Sequence, residues 1–177
     1  MSYTQKIEKG YEEQGIEIDE NGELRYRGTG SVFLAHQRKR KRTIYLAHPY
    51  DRRNSKRKQM IIRKLEERDF VVVDPFVGED ILAKKYGVND YYENPCRDFA
   101  IEIKDRDFGA VTACDALFAW IPKDVTMIGT IREYDRALRA GKYIIVLCYK
   151  PNPFLEDADE LYLDYQDFLN EISFKWD

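Results

Sequence analysis

The sequence predicts an α/β protein, a Rossmann/flavodoxin-like three-layer sandwich with a mainly parallel sheet of four or five strands, preceded by an N-terminal extension. Two observations predict it. Short apolar runs alternate with longer stretches of helical periodicity, which is the signature of strands and helices laid down in turn. The runs are also apolar on both faces, as parallel strands covered by helices on either side must be. With 177 residues, the chain has enough volume for one well-filled core.

Residues 1–42 read as the extension. The stretch from Ile16 to Arg27 alternates around Asn21-Gly22, a hairpin signal. Residues 43–177 read as the α/β domain. Thr43 to His48 is the first apolar strand, stopped by Pro49. From Ser55 to Glu67, Met60, Ile61, Ile62 and Leu65 recur among charges as in an amphipathic helix. Phe70 to Asp74 is the second strand, closed by Pro75. Residues 76–98 combine a short helical piece with a loop or flap that carries Tyr91 and Tyr92. Phe99 to Asp107 is helical, Ala116 to Ile121 is the third strand, residues 130–140 form a helix, and Tyr143 to Cys148 is the fourth strand. Residues 156–172 are expected to form a last amphipathic helix with Leu161, Leu163, Phe168, Leu169 and Ile172 inward.

Net charge is only −3, but it is unevenly distributed. Between Arg38 and Arg68 there are thirteen Lys or Arg against three acids, whereas from Phe154 onward eight acids face one Lys. Such segments can pair with each other, with a neighbouring subunit or with a phosphate-bearing ligand. The run Arg38 to Arg42 alone is most simply a solvated charge cluster, and nucleic acid is not the expected partner. Three cysteines without CxxC spacing read as buried small hydrophobes in a reducing compartment. Two histidines argue against a His-rich metal site, so neither metal nor cofactor is expected. There is no run of 18 apolar residues and no signal-like N-terminal segment, so the expected setting is cytoplasmic and away from membranes.

Four features carry the candidate chemistry. Tyr45-Leu-Ala-His-Pro-Tyr50 ends the first strand. Asp107 precedes Asp115, which sits at the mouth of the third strand and reads as a structural hydrogen-bonding group. Gly129-Thr130 opens a helix and places Glu133 in its first turn, beside free backbone N–H groups. Ala140-Gly-Lys-Tyr143 leads into the fourth strand. Taken alone, Glu133 would merely complement the helix dipole, an effect of about 0.3–1 kcal/mol. Beside Tyr45 and Asp107 it becomes a candidate catalytic carboxylate at the carboxyl edge of a sheet.

In these motifs, and in their order over residues 43–148, the sequence resembles the nucleoside 2-deoxyribosyltransferase family, whose wider relatives include nucleoside-monophosphate N-glycosidases. The resemblance implies that Glu133 attacks the anomeric carbon of the sugar. It implies that Tyr45 orients that carboxylate and that Asp107 handles the proton of the departing base. It also implies a homo-oligomer whose sites are completed by a neighbour, and a small-molecule nucleoside or nucleotide as substrate. Two positions depart from the family pattern. His48 stands where a small Gly is usual, and Met127 stands where the transferases carry Asp before Gly-Thr. His48, Arg52, Phe76, Met127, Gly129 and Thr130 are the expected substrate contacts, with Arg52 and His48 near a 5′-phosphate and Phe76 against a base. Three functions remain open: base transfer between deoxynucleosides, hydrolysis of a nucleoside 5′-monophosphate, and nucleotide binding without chemistry.

Overall fold

The computed structural model describes residues 16–18, 24–26, 41–88, 96–123, 125 and 127–171. The chain divides into two compact units, residues 1–40 with 77–106 and residues 41–76 with 107–177.

In the first unit, β1 (Ile16–Ile18) pairs antiparallel with β2 (Leu24–Tyr26), and Ile18 stands opposite Leu24. The Asn21-Gly22 turn itself lies outside the described residues. Helix α1 belongs to the second unit and spans Lys56–Glu67. Helix α2 (Glu79–Tyr86) and the first part of α3 (Arg97–Ala113) complete the first unit. Gly78 and Gly87 bracket α2, both in the left-handed region that a side chain would disfavour. Glu102 of α3 accepts from Lys85 Nζ at 3.0 Å and from the Tyr86 hydroxyl, and the Tyr86 ring packs 5.9 Å from Phe99. The expected flap residues Tyr91 and Tyr92 lie outside the described residues, as does the basic run Arg38 to Arg40. Cys96 is exposed, against the expectation of a buried thiol, because it precedes α3 rather than lying within a packed element.

The second unit is built on a five-stranded sheet. Its strands are β3 (Arg42–Ala47), β4 (Phe70–Val73), β5 (Ala116–Ile121), β6 (Tyr143–Cys148) and β7 (Glu160–Tyr162). They lie in the order β4-β3-β5-β6-β7, and every neighbouring pair is parallel. Parallel neighbours need helical crossovers, and these cover both faces. The central strands are buried along nearly their whole length, which explains their unbroken apolar sequence. Alternate residues point to opposite faces. Ile44 and Leu46 join Phe118 and Ile145 beneath Ile61, Ile62 and Leu65 of α1 and Phe168 of α5 (Tyr165–Asn170). Tyr45 and Ala47 join Leu117, Ile144 and Val146 beneath Val111 and Cys114, on and just after α3, and Tyr134 and Ala137 of α4 (Ile128–Arg139).

Local signals set the element ends. Ser55 accepts the Lys58 N–H at 3.1 Å and starts α1. Asp164 accepts from Gln166 and Asp167 at the start of α5. At the end of α4, Gly141 takes φ +63°, with Gly141 N–H donating to Leu138 and Lys142 N–H to Ala137, each at 3.0 Å. This is a Schellman closure, and it turns the chain directly into β6. Asp115 latches the amino edge of the sheet. Its Oδ2 accepts from Thr43 N at 2.7 Å and Thr43 Oγ1 at 2.9 Å, which is the structural role its position suggests.

The C-terminal expectation needs correction. Residues 156–172 do not form one helix. They follow a 3-10 turn at Pro153–Leu155 and hold the edge strand β7 and the short helix α5. Leu161 and Leu163 are exposed at 41% and 49%, so only Phe168 and Leu169 are packed inward, and Ile172 lies outside the described residues. The sequence there has no sustained 3.6-residue stripe, and Asp164 interrupts it with a new helix start. Arg68, just past α1, donates to the carbonyls of Phe168 (3.3 Å) and Glu171, which ties the end of α5 to the body of the unit.

Candidate active site

The chain runs from β3 outward to β4, then returns across β3 to β5 and continues to β6 and β7. The strand order therefore reverses between β3 and β5, and a crevice outside their carboxyl ends is where doubly wound sheets bind ligands. Tyr45 lies on β3 beside Leu117 of β5 at this point.

Helix α4 follows β5 and packs over β3, β5 and β6. Its buried residues are Thr130, Glu133, Tyr134 and Ala137, spaced as one helical stripe. Glu133 thus faces the sheet, only 8% exposed. Tyr45, fully buried, donates its hydroxyl to Glu133 Oε1 at 2.7 Å. The two side chains are separated by 88 positions in the chain. A buried carboxylate needs such a partner, because an unsatisfied one costs several kcal/mol.

The helix begins at Ile128, two residues earlier than the sequence suggested, with Met127 as its N-cap residue. Gly129 and Thr130 therefore lie within the first turn, and Glu133 lies in the second. This weakens the reading of Glu133 as a dipole complement, since that effect fades beyond the first turn. Thr130 is buried, Gly129 is exposed and Met127 is half-buried.

Asp107 lies half-buried on α3, one turn before Val111, which packs in the same cluster as Tyr45. Helices α3 and α4 run side by side in step. The Arg132 guanidinium lies 5.6 Å from the Phe108 ring centroid, and Arg136 Nε donates to Thr112 Oγ1 at 3.2 Å. Each contact advances both helices by four residues. Asp107, adjacent to Phe108, and Glu133, adjacent to Arg132, therefore lie on neighbouring helices, offset by about one turn or less along the axis.

Around the turn after β3, His48 is fully enclosed. Its Nε2 lies 3.2 Å from Asp74 Oδ1 and its Nδ1 lies 3.2 Å from the Pro49 carbonyl, with the tautomer setting which nitrogen donates. Arg52 is exposed on the 3-10 turn Tyr50–Arg52. Phe76 is half-buried, edge-on to the rings of His48 (4.7 Å) and Tyr50 (5.6 Å).

Sequence reasoning gave Lys58 no role and read Asp74 as the last residue of the second strand, ahead of Pro75. Lys58 Nζ donates to Asp74 Oδ2 at 2.6 Å, and both side chains are buried. The signal was present: Lys58, Ile61, Ile62 and Leu65 form the buried stripe of α1, while Met60, expected inside, is 44% exposed. Burial alone would raise the Asp74 carboxyl. The hydrogen bonds and positive charge of His48 and Lys58 outweigh it and hold the group below the usual carboxylate range. A depressed folded-state value stabilises the protein above the unfolded carboxylate range, about pH 4, and that contribution is lost as pH falls through the folded value. Thermal melts between pH 6 and 2.5 are expected to show an acid limb below about pH 4 that is shallower in Asp74→Asn. An unchanged limb would remove Asp74 from the account.

Burial disfavours the thiolate form of the two enclosed cysteines. Burial pushes the Cys114 thiol up to about 12, and burial also raises Cys148. Among the described residues no group of three His, Cys, Asp or Glu is placed to hold a metal ion, and no helix is long and apolar enough to cross a membrane.

No family model and no curated protein matches the chain. Solved structures do. A 2-deoxyribosyltransferase from Bacillus psychrosaccharolyticus superposes with a TM-score of 0.52 at 15% identity, over 73% of this chain and 92% of its own. A CMP N-glycosidase, BcmB, from Clostridium botulinum gives a TM-score of 0.47 at 20% identity, over 72% of this chain and 95% of its own. At such identity the first likeness shows the fold, and the second is too loose to argue from.

Proposed function

We propose that this protein cleaves the N-glycosidic bond of a deoxynucleoside and passes the sugar to a second base, with Glu133 as nucleophile. The observation that carries this reading is the buried hydrogen bond from Tyr45 to Glu133, at the switch point of a sheet whose fold matches that of a 2-deoxyribosyltransferase.

The chemistry follows from the groups present. Cleavage builds positive charge on the sugar ring, which the Glu133 carboxylate stabilises. One carboxylate oxygen bonds to C1′ as the C1′–N bond breaks, and the electron pair leaves with the base. Asp107, on the neighbouring helix, gives the leaving nitrogen its proton. Tyr45 holds the plane of the carboxylate through Oε1, so attack needs little reorganisation. In the second half, a nitrogen of the incoming base attacks C1′ and releases Glu133. Asp107 takes back the proton that this nitrogen sheds. The two displacements together retain configuration at C1′.

A second reading, hydrolysis of a nucleoside 5′-monophosphate, is favoured by the exposed Arg52 beside Arg53 on the turn after β3. Under that reading water replaces the incoming base. Incubation with deoxynucleosides, with and without a free acceptor base, and with the corresponding monophosphates separates the two on chromatography. New nucleosides that form only when acceptor base is present support transfer. Free sugar phosphate from monophosphates alone supports hydrolysis. Absence of turnover with every substrate would leave nucleotide binding without chemistry.

A further inference from the structure

Strands β3 and β4 are parallel neighbours with Tyr45 opposite Val73, so the residues just beyond them, His48 and Asp74, emerge at the same carboxyl edge. The Asp74 carboxylate connects three elements there. Its Oδ1 accepts the Phe76 N–H at 3.1 Å and faces His48 Nε2, while its Oδ2 accepts Lys58 Nζ from α1. The side chains of His48, Lys58 and Asp74 are only 0%, 9% and 6% exposed. Desolvating charges at this depth is costly, and apolar residues of similar volume generally hold a fold together as well or better. A buried ionic clamp spanning two adjacent loops therefore calls for a purpose beyond holding the sheet.

What the clamp controls is a pair of aromatic rings. Phe76 is fixed through its backbone N–H and packs edge-on against His48, while Tyr50 packs edge-on against Phe76. The Arg53 guanidinium carbon lies over the Tyr50 ring, 3.4 Å from its centroid, and Arg53 Nη1 donates to the Tyr50 carbonyl. Tyr50 and Phe76 are half-buried, Tyr50 just past β3, which carries Tyr45, and Phe76 just past its parallel neighbour β4.

We propose that Asp74, clamped by Lys58 and His48, is a positioning residue that fixes the Tyr50–Phe76 ledge against which the planar base of the substrate rests. This rests on the glycosidic-bond reading above. The ledge holds the base and leaves bond breaking to Tyr45 and Glu133, so the clamp acts on binding far more than on the chemical step.

The test uses the full chain and the four natural deoxynucleosides as probes. Steady-state kinetics are measured for Asp74→Asn, Lys58→Met, the double variant and Phe76→Leu, and nucleoside dissociation constants are measured by calorimetry in the same variants carrying Glu133→Gln. Each variant is expected to raise KM and Kd about tenfold while kcat changes less than about threefold. The double variant is expected to recover part of the melting temperature lost in the single clamp variants, since neither charge is left buried alone, without recovering KM. Lowered melting temperature with unchanged KM and Kd in the folded protein would make the clamp structural only and overturn the proposal. Wild-type turnover with variants indistinguishable from it would overturn the ledge and leave the glycosidic reading standing. A wild-type protein that neither binds nor cleaves any of the four would overturn both.

Discussion

Glu133→Gln is expected to lower kcat by about a thousandfold or more while leaving the fold intact. Glutamine keeps the volume of the side chain and an oxygen to accept the Tyr45 hydroxyl, so the 2.7 Å contact survives. What is lost is the negative charge and the nucleophilic oxygen that the reaction needs. Initial rates by chromatography, set against melting curves, separate the two effects. A variant that turns over within tenfold of wild type would end the case for Glu133 as nucleophile. Tyr45→Phe should fall between the two, because the carboxylate stays charged but loses the donor that orients it.

Phe118→Ala is expected to cost about 3–5 kcal/mol of stability, the range for truncating a large core aromatic. Phe118 is fully buried on the central strand β5, with its ring 4.9 Å from that of Phe168. The cavity would open beneath α5, which is only six residues long and holds its place through Phe168, Leu169 and the Arg68 contacts to its end. Urea unfolding measures the loss through the midpoint at fixed slope. A loss below about 1 kcal/mol would mean that α5 collapses into the gap and that the packing at this face is far more plastic than drawn here.

The parallel sheet was legible because its strands are apolar throughout and separated by helical stretches. β5 and β6 fall where the pattern places them, to the residue. β7 was not legible: three residues, Glu160 to Tyr162, carry no alternation and gain their place only by pairing with β6. The start of α4 was misplaced for a similar reason. Gly129-Thr130 looks like a turn in isolation, yet burial of Thr130 pulls both residues into the helix. In the site, Tyr45 and Glu133 were legible through their motifs, and their mutual hydrogen bond is a tertiary fact. Lys58 was hidden in a basic run whose solvated look masked its position on the buried stripe of α1. Charge on an apolar stripe, as at Lys58 and at Glu133, was the more informative signal.

The distance in sequence between partners also governs how the molecule comes into being. β3 cannot acquire its second neighbour, nor Thr43 its latch, until Asp115 has emerged, 72 positions later, and Tyr45 waits 88 positions for Glu133. Closing loops of this length before any contact rewards them slows acquisition of the native state. On the ribosome, α1 can shelter only one face of β3 and β4 until β5 and α4 have been made, the stage at which a nascent chain of this design most needs a chaperone.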